Sequence, residues 1–236
     1  ASSITISLAT ALQGENTLYV QAWNNNNVPS DVKSYGWFGY DTFPPTNPTS
    51  ANAGCLAANN IWQNSCNNPS FSWSGANDGN GIGIQDYQYY WGANSQGVPN
   101  TYTTNRASDP PAISSEVFTY FLRLSTRDKL GHESSPSTLF ILRYDATQPS
   151  VIAEINNGAA TTNQVNVTID VSSSDTGSGV EQVLLSNNGT AWQSFDLQSD
   201  QESINWQIPA LDRHEHTVYV KVIDRAGNES AVVTDT

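Results

Sequence analysis

Methionine is absent from this chain, cysteine occurs twice, and lysine stands only at Lys33, Lys129 and Lys221. Nine basic residues face 22 acidic ones, a formal net charge of -13. A protein that tracks a phosphate backbone needs a basic surface to release counterions, so nucleic acid is excluded as a partner. No apolar run approaches the roughly 20 residues that cross a bilayer as a helix, and no signal peptide is visible. If the protein is exported, Ala1 is expected to be a processed end or a cut.

Catalytic patterns are missing too. No G-x-S-x-G elbow occurs, no histidine falls in a recognised motif, and the carboxylates are scattered over polar stretches, without the pairing that glycoside hydrolysis needs. His214-Glu215-His216 would put two imidazoles on one strand face, but tetrahedral zinc needs further ligands in register, so a polar loop and strand start are expected there. No enzyme and no cofactor are expected.

Aromatics, threonine, serine, asparagine and glycine fill the 236 residues, with 13% charged and 37% hydrophobic. That balance suits an exported all-β protein with room for two compact domains of ordinary size. Cys55 and Cys66 enclose LAANNIWQNS. An even pair in an otherwise cysteine-free chain predicts a disulfide formed outside the cytoplasm. The alternative is two free thiols.

One pattern occurs three times: TLYVQAWNNNNVPS from Thr17, TYFLRLSTRDKLGHES from Thr119 and TVYVKVIDRAGNES from Thr217. Each copy is an alternating strand with one apolar face, Leu18/Val20/Ala22, Leu122/Leu124 and Val218/Val220/Val222 respectively. Each then enters a polar turn where Gly131 or Gly227 supplies positive φ. Asp128, Asp224 or the Asn24 to Asn27 run can bond back to the turn backbone. Between copies lie Asp41-Thr42-Phe43-Pro44-Pro45 and Asp145-Ala146-Thr147-Gln148-Pro149, and Asp235-Thr236 closes the sequence.

These residues resemble the bacterial extracellular immunoglobulin-like repeats, close to fibronectin type III domains. In that family the penultimate strand ends in a D-x-x-G-N-x-S turn and the last strand runs into a D-T-x-x-P linker. The resemblance covers nearly the whole chain and implies an all-β tandem of immunoglobulin-like β-sandwiches with an incomplete first domain. The expected units are 1-43, containing late strands only (Ser3 to Leu8, Thr17 to Trp23, Tyr35 to Tyr40), then 44-147 with the disulfide, and 148-236.

In the second unit Phe71, Trp73, Ile84, alternate aromatics of Tyr87 to Trp91, Leu122 and Leu124 are expected to feed the core. Gly92 to Pro111 is expected to be a surface excursion with at most one short strand. The half-unit would leave Ile4, Ile6, Leu18, Val20, Trp37 and Phe38 open to water, with unpaired edges that template another strand. Those six residues are the expected assembly interface, closed by another subunit or segment.

The implied function is that of an extracellular structural protein: a subunit or segment of a surface filament or adhesin, with a homopolymer or neighbouring immunoglobulin-like domains as partners. The alternative is a carbohydrate-binding or spacer module of a secreted enzyme. Asn166, Asn188 and Asn228 fit the N-glycosylation pattern, which makes glycans candidate partners on an extracellular or cell-surface protein. No metal site is assigned. Asp78, Asp145 and Asp175 are the calcium candidates, since hard cations take oxygen ligands, but aspartate in such turns ordinarily builds an Asx-turn, and no EF-hand pattern occurs.

Overall fold

A computed structural model describes residues 11–209 and 214–236. Every regular element among them is a strand: β1 (Gly14–Val20), β2 (Lys33–Tyr40), β3 (Ser50–Ala53), β4 (Trp62–Gln63), β5 (Phe71–Ser74), β6 (Ile84–Gly92), β7 (Thr101–Thr103), β8 (Ala107–Ser108) and β9 (Val117–Asp128). They continue with β10 (Ser137–Asp145), β11 (Ser150–Ile155), β12 (Asn166–Ser174), β13 (Val180–Ser186), β14 (Gln193–Asp196), β15 (Gln201–Gln207), β16 (Val218–Asp224) and β17 (Val233–Asp235). The sheets run β1-β2, β3-β5-β8, β4-β10-β9-β6-β7, β11-β12-β15 and β14-β13-β16-β17. The expected strand Ser3 to Leu8, with Ile4 and Ile6, lies outside the described residues.

Two compact units emerge from the packing. One comprises the chain to Gly54 with Ser70–Pro110 and Phe121–Ile141; the other comprises Cys55–Pro69, Pro111–Tyr120 and Leu142–Thr236.

The second unit contains a complete sandwich. On β12, Val167, Ile169 and Val171 are buried while Asn166, Thr168 and Asp170 face outward, the alternation of a strand with one wet face. Opposite them stand Val183 and Leu185 of β13 and Val218, Val220 and Val222 of β16, closed by Val151, Ile155, Ile204 and Ile208. Three strands on one side and four on the other, with the chain changing sheets after β12, after β14 and after β15, make an immunoglobulin-like sandwich. In the same unit Cys55 and Cys66 form a disulfide, and the loop they close carries β4. There Trp62 and Gln63 pair in parallel with Arg143 and Tyr144 of β10. Arg143 donates to Asn60 Oδ1 at 2.8 Å and lies over the Trp62 ring.

The first unit packs the predicted aromatics. Phe71 touches Trp91 and Phe140 with ring centroids 5.0 and 5.3 Å apart, and Trp73 meets Tyr87 edge to face at 5.6 Å. Leu122 and Leu124 are fully buried beside them, whereas Ile84 is only half-buried. The excursion after Gly92 contains two short strands, where at most one was expected. Of these, β7 pairs with β6 and β8 with β5, so the excursion adds an edge to each of two sheets.

β1 and β2 form an antiparallel hairpin with a bulge between Thr17 and Leu18. Its base is fixed: Gly14 is buried so close to the Asn80 carbonyl that a Cβ there would overlap it, and a Cβ on Gly39 would overlap the Ile82 side chain. Beyond that base the hairpin stands in water. Tyr19, Val20, Tyr35 and Trp37 are exposed, Trp37 to 69%. Leu18 and Phe38 are half-buried. Register divides these residues between two faces. Leu18 pairs with Tyr35, Val20 with Lys33 and Asn16 with Phe38 on one side, while Thr17 pairs with Trp37 and Tyr19 with Ser34 on the other. Trp37 therefore lies on the opposite face from Leu18, Val20 and Phe38.

Candidate functional sites

The three repeated stretches fold into the same turn, bond for bond. The N–H of Asn24, Asp128 and Asp224 donates to the carbonyl of Val28, His132 and Asn228 at 3.1 Å in each copy. Asn27, Gly131 and Gly227 donate back to the carbonyls of Asn24, Asp128 and Asp224, and all three adopt positive φ, of 57, 92 and 90°. Asparagine tolerates that region better than other residues with a Cβ, which explains how the first copy dispenses with glycine. A serine hydroxyl locks the far side: Ser30, Ser134 and Ser230 accept the N–H of Ala22, Thr126 and Val222 at 3.0, 2.8 and 3.0 Å.

At the head of the turn a side-chain oxygen caps two amides. Asp128 Oδ1 accepts from Leu130 and His132, and Asp224 Oδ1 from Ala226 and Asn228. Asn24 Oδ1 does the same for Asn26 and Val28. Burial separates the copies. Val218, Val220 and Val222 are sealed, as are Leu122, Leu124 and Thr126, but Val20 is 39% exposed and Ala22 and Asn24 are exposed as well.

In the second and third copies the turn aspartate belongs to a buried carboxylate cluster. Oxygens of Asp145, Asp175 and Asp224 lie within 4.8 Å of one another, as do ligand atoms of Asp41, Asp128 and His132. Asp78 joins the latter group, since its Oδ2 and that of Asp41 crowd the same side of Gly81. Each cluster thus combines a linker aspartate, a turn aspartate and an aspartate from a glycine-rich loop.

The linker residues staple neighbouring chain. Asp145 Oδ1 accepts the Thr147 N–H at 3.0 Å and its hydroxyl at 2.5 Å, and Oδ2 accepts the Ser178 N–H at 2.5 Å. Asp41 accepts from Phe43 at 3.1 Å and from Ile82 at 3.3 Å. The loop aspartates use one oxygen each, Asp78 Oδ2 on Gly83 and Asp175 Oδ2 on Gly177 and Gly179. Their other oxygens, Asp78 Oδ1 and Asp175 Oδ1, are buried and accept no hydrogen bond.

These surroundings split the acidities. Burial pushes Asp128 up, but the His132 side chain, 2.8 Å from Oδ2, and the His132 and Leu130 amides hold it below the ordinary carboxylate value. Asp145 is also lowered, burial being outweighed by the Thr147 hydroxyl and the Ser178 and Thr147 amides. Asp78 is raised by burial, against the Gly83 amide and with help from the Asp41 and Asp128 charges. The position of His132 is taken in the other cluster by Asn228, whose Nδ2 donates to Asp224 Oδ2 at 2.8 Å and to the Asp145 carbonyl at 2.9 Å. Chemically, such a cluster can clamp a linker to a turn through charge-assisted hydrogen bonds, and it retains one oxygen able to serve a hard cation.

Of the calcium candidates, Asp145 and Asp175 stand together, with Asp78 in the equivalent place of the other cluster. Sequence reasoning placed Asp128 and Asp224 only in their turns and did not bring Asp41 to Asp78. The discoverable signal was order: linker, glycine-rich loop and turn aspartates recur in that sequence in both complete copies. Asn166 and Asn188 are exposed, and the Thr190 hydroxyl donates to Asn188 Oδ1 at 3.0 Å. Asn228 differs, because its Nδ2, the atom a glycan would occupy, is committed to Asp224 and Asp145. This counts against glycosylation at Asn228. His214 and His216 line an open hollow with Ile155, Thr162 and Ile208 and fall in neither three-ligand group among the described residues.

No family model matches the sequence, and no curated protein matches it either. Among solved structures the chain is similar to the fibronectin(III)-like modules of Clostridium thermocellum CbhA, at 14% identity and a TM-score of 0.41, covering 78% of this chain and 90% of that one. It is also similar to the FN1-FN3 domains of chicken CNTN1, at 13% and 0.37, covering 92% and 76%. A tetra-tandem repeat in the extending region of a large adhesion protein aligns at 14% and 0.35, covering 98% and 57%. At these scores it is the strand order of the chain itself, with three strands packed on four, that identifies the immunoglobulin-like sandwich.

Proposed function

We propose that this chain is an extracellular structural protein, a subunit or segment of a surface filament or adhesin built from immunoglobulin-like units at 1-43, 44-147 and 148-236. One observation carries the reading. The first copy of the repeated turn makes the same hydrogen bonds as the other two, yet its strand face stays open where theirs is sealed. A fully formed element with an unsealed apolar surface is a joint awaiting its counterpart. Strand complementation from another subunit would close it, and the disulfide and aspartate staples would stiffen the units that hold them. Glycans at Asn166 and Asn188 would decorate its exposed surface.

Electron microscopy and light scattering of the purified chain test this. End-to-end particles or filaments, lost on Val20→Asp, are expected; a monomer at every concentration would sink the reading.

A second reading is favoured by the two unpartnered carboxylate oxygens: a calcium-dependent adhesion protein whose linkers are stiffened by the ion. Calcium would then raise the melting temperature and Asp175→Asn would remove most of the gain, whereas equal melting in calcium and in chelator would end this reading.

A further inference from the structure

The disulfide loop reaches further than the strand it carries. Asn60 and Trp62 of the loop hold Arg143, just ahead of the linker residue Asp145. At its other end, just before Cys66, Asn64 Nδ2 donates to Asn228 Oδ1 at 3.0 Å. The two backbones run close there, since a Cβ on Gly227 would stand 3.8 Å from Asn64 Nδ2. Loop, linker and turn all belong to the second unit.

Asn228 is the residue that joins that linker to that turn. Its Nδ2 donates to the Asp145 carbonyl at 2.9 Å and to Asp224 Oδ2 at 2.8 Å, and its backbone N–H donates to Asp224 Oδ1. A carboxamide carries an acceptor and a donor on one planar end, so Asn228 can face the loop with its oxygen and two acceptors with its nitrogen. The Asn64 bond therefore selects the same amide orientation that the bridge needs. β4 is only two residues long, so the cross-link supplies most of the order that keeps Asn64 in place.

We infer that the Cys55–Cys66 bond is a redox-sensitive latch on this joint. Closed, it holds Asn64 against Asn228 and keeps the carboxamide bridging Asp145 to Asp224; opened, it frees the loop and loosens the bridge. Opening is thiol–disulfide exchange. Cys66 is 2% exposed and Cys55 only part-buried, so the thiolate of a dithiol attacks Cys55 Sγ, the S–S bond breaks, and Cys66 leaves as a thiolate that takes up a proton. The second thiolate of the dithiol then displaces Cys55 from the mixed disulfide. Two electrons have passed to the protein sulfurs, both cysteines are thiols, and the dithiol has become a cyclic disulfide. The latch does not depend on filament assembly, since every residue in it belongs to one unit of one chain.

The test reads amide exchange by NMR on the whole chain, oxidised and after treatment with dithiothreitol. The amides of Thr147, Ala226 and Asn228 should exchange about threefold to tenfold faster in the reduced chain, as the loss of one hydrogen bond from the local structure predicts. Those of Leu130 and His132, held by Asp128 in the equivalent turn of the first unit, should keep their rates. Asn64→Ala with the disulfide intact should reproduce the acceleration, and it decides the matter even where the reduced chain unfolds. Acceleration confined to the loop between the cysteines would overturn the inference, as would unchanged rates at Ala226 and Asn228 in Asn64→Ala. Equal acceleration at Leu130 and His132 would also overturn it, because reduction would then have weakened the whole chain and not this joint.

Discussion

Asn24 holds its turn with a neutral amide oxygen at 2.9 and 3.0 Å from two backbone nitrogens, and Asp224 holds the equivalent turn with a carboxylate at 2.9 and 2.8 Å. The geometry is common to both, so the charge is not needed to shape the turn. It serves the cluster around Asp145.

Asp224→Asn should therefore be mild. The amide keeps both backbone acceptor bonds and relieves repulsion from Asp145 and Asp175, while its NH2 loses the bond from Asn228 Nδ2, so urea denaturation should show a loss of only about 1 kcal/mol. Asp224→Ala, which strands two buried amides and the Asn228 side chain, should cost about 2 to 4 kcal/mol.

The core and the hairpin should respond differently to the same kind of truncation. Leu185 is fully buried, and Leu185→Ala should cost about 2 to 5 kcal/mol. Leu18→Ala in the unassembled chain should cost only about 1 kcal/mol, because Leu18 is half-buried where Leu185 is sealed. A large effect at Leu18 would mean that the face is already covered.

Acid sensitivity follows from the split acidities. Asp128 and Asp145 are held below the ordinary carboxylate value, so their contribution is fully present above about pH 4 and is lost as pH falls through their lowered values. Asp78 is raised, so its contribution has the opposite sign: present below about pH 4, lost as pH climbs through its raised value. Melting temperature should rise steeply from pH 2 toward 4 and then sag slightly. Asp78→Asn, which keeps an oxygen for the Gly83 amide, should remove the sag; circular dichroism melts across pH 2 to 7 would read both effects.

Reduction of the Cys55–Cys66 bond should lower stability by about 2 to 3 kcal/mol, from the loop it closes. The loss should register in the melt of the unit that holds β4. The exchange of the β1–β2 hairpin should be unchanged.

Much of this fold was legible because it repeats. Alternation fixed the inward faces of β9, β12 and β16, and the thrice-repeated turn marked its own position through glycine, asparagine and serine at fixed offsets. The bulge that shifts the phase of β2 opposite Thr17 and Leu18 went unread, although Gly36, left unpaired there at a φ of 48°, marks it. The two strands of the excursion after Gly92 escaped notice for a different reason: β8 is two residues long and is defined by the backbone it joins. The aspartate clusters were half legible. Turn chemistry placed each residue locally, but only the tertiary fold brings Asp145 to Ser178 and Asp41 to Ile82.

The parallel pairing of β4 with the end of β10 has a mechanical meaning for a chain of this kind. A tensile load entering at Asp145 runs along β10, and because its partner lies parallel within a cross-linked loop, the contact must fail by longitudinal shear and cannot unzip one bond at a time. The loop itself cannot pay out length while Cys55 and Cys66 remain joined. In an oxidising medium that segment would resist a pull; in a reducing one the same pull could draw out the residues between Cys55 and Cys66.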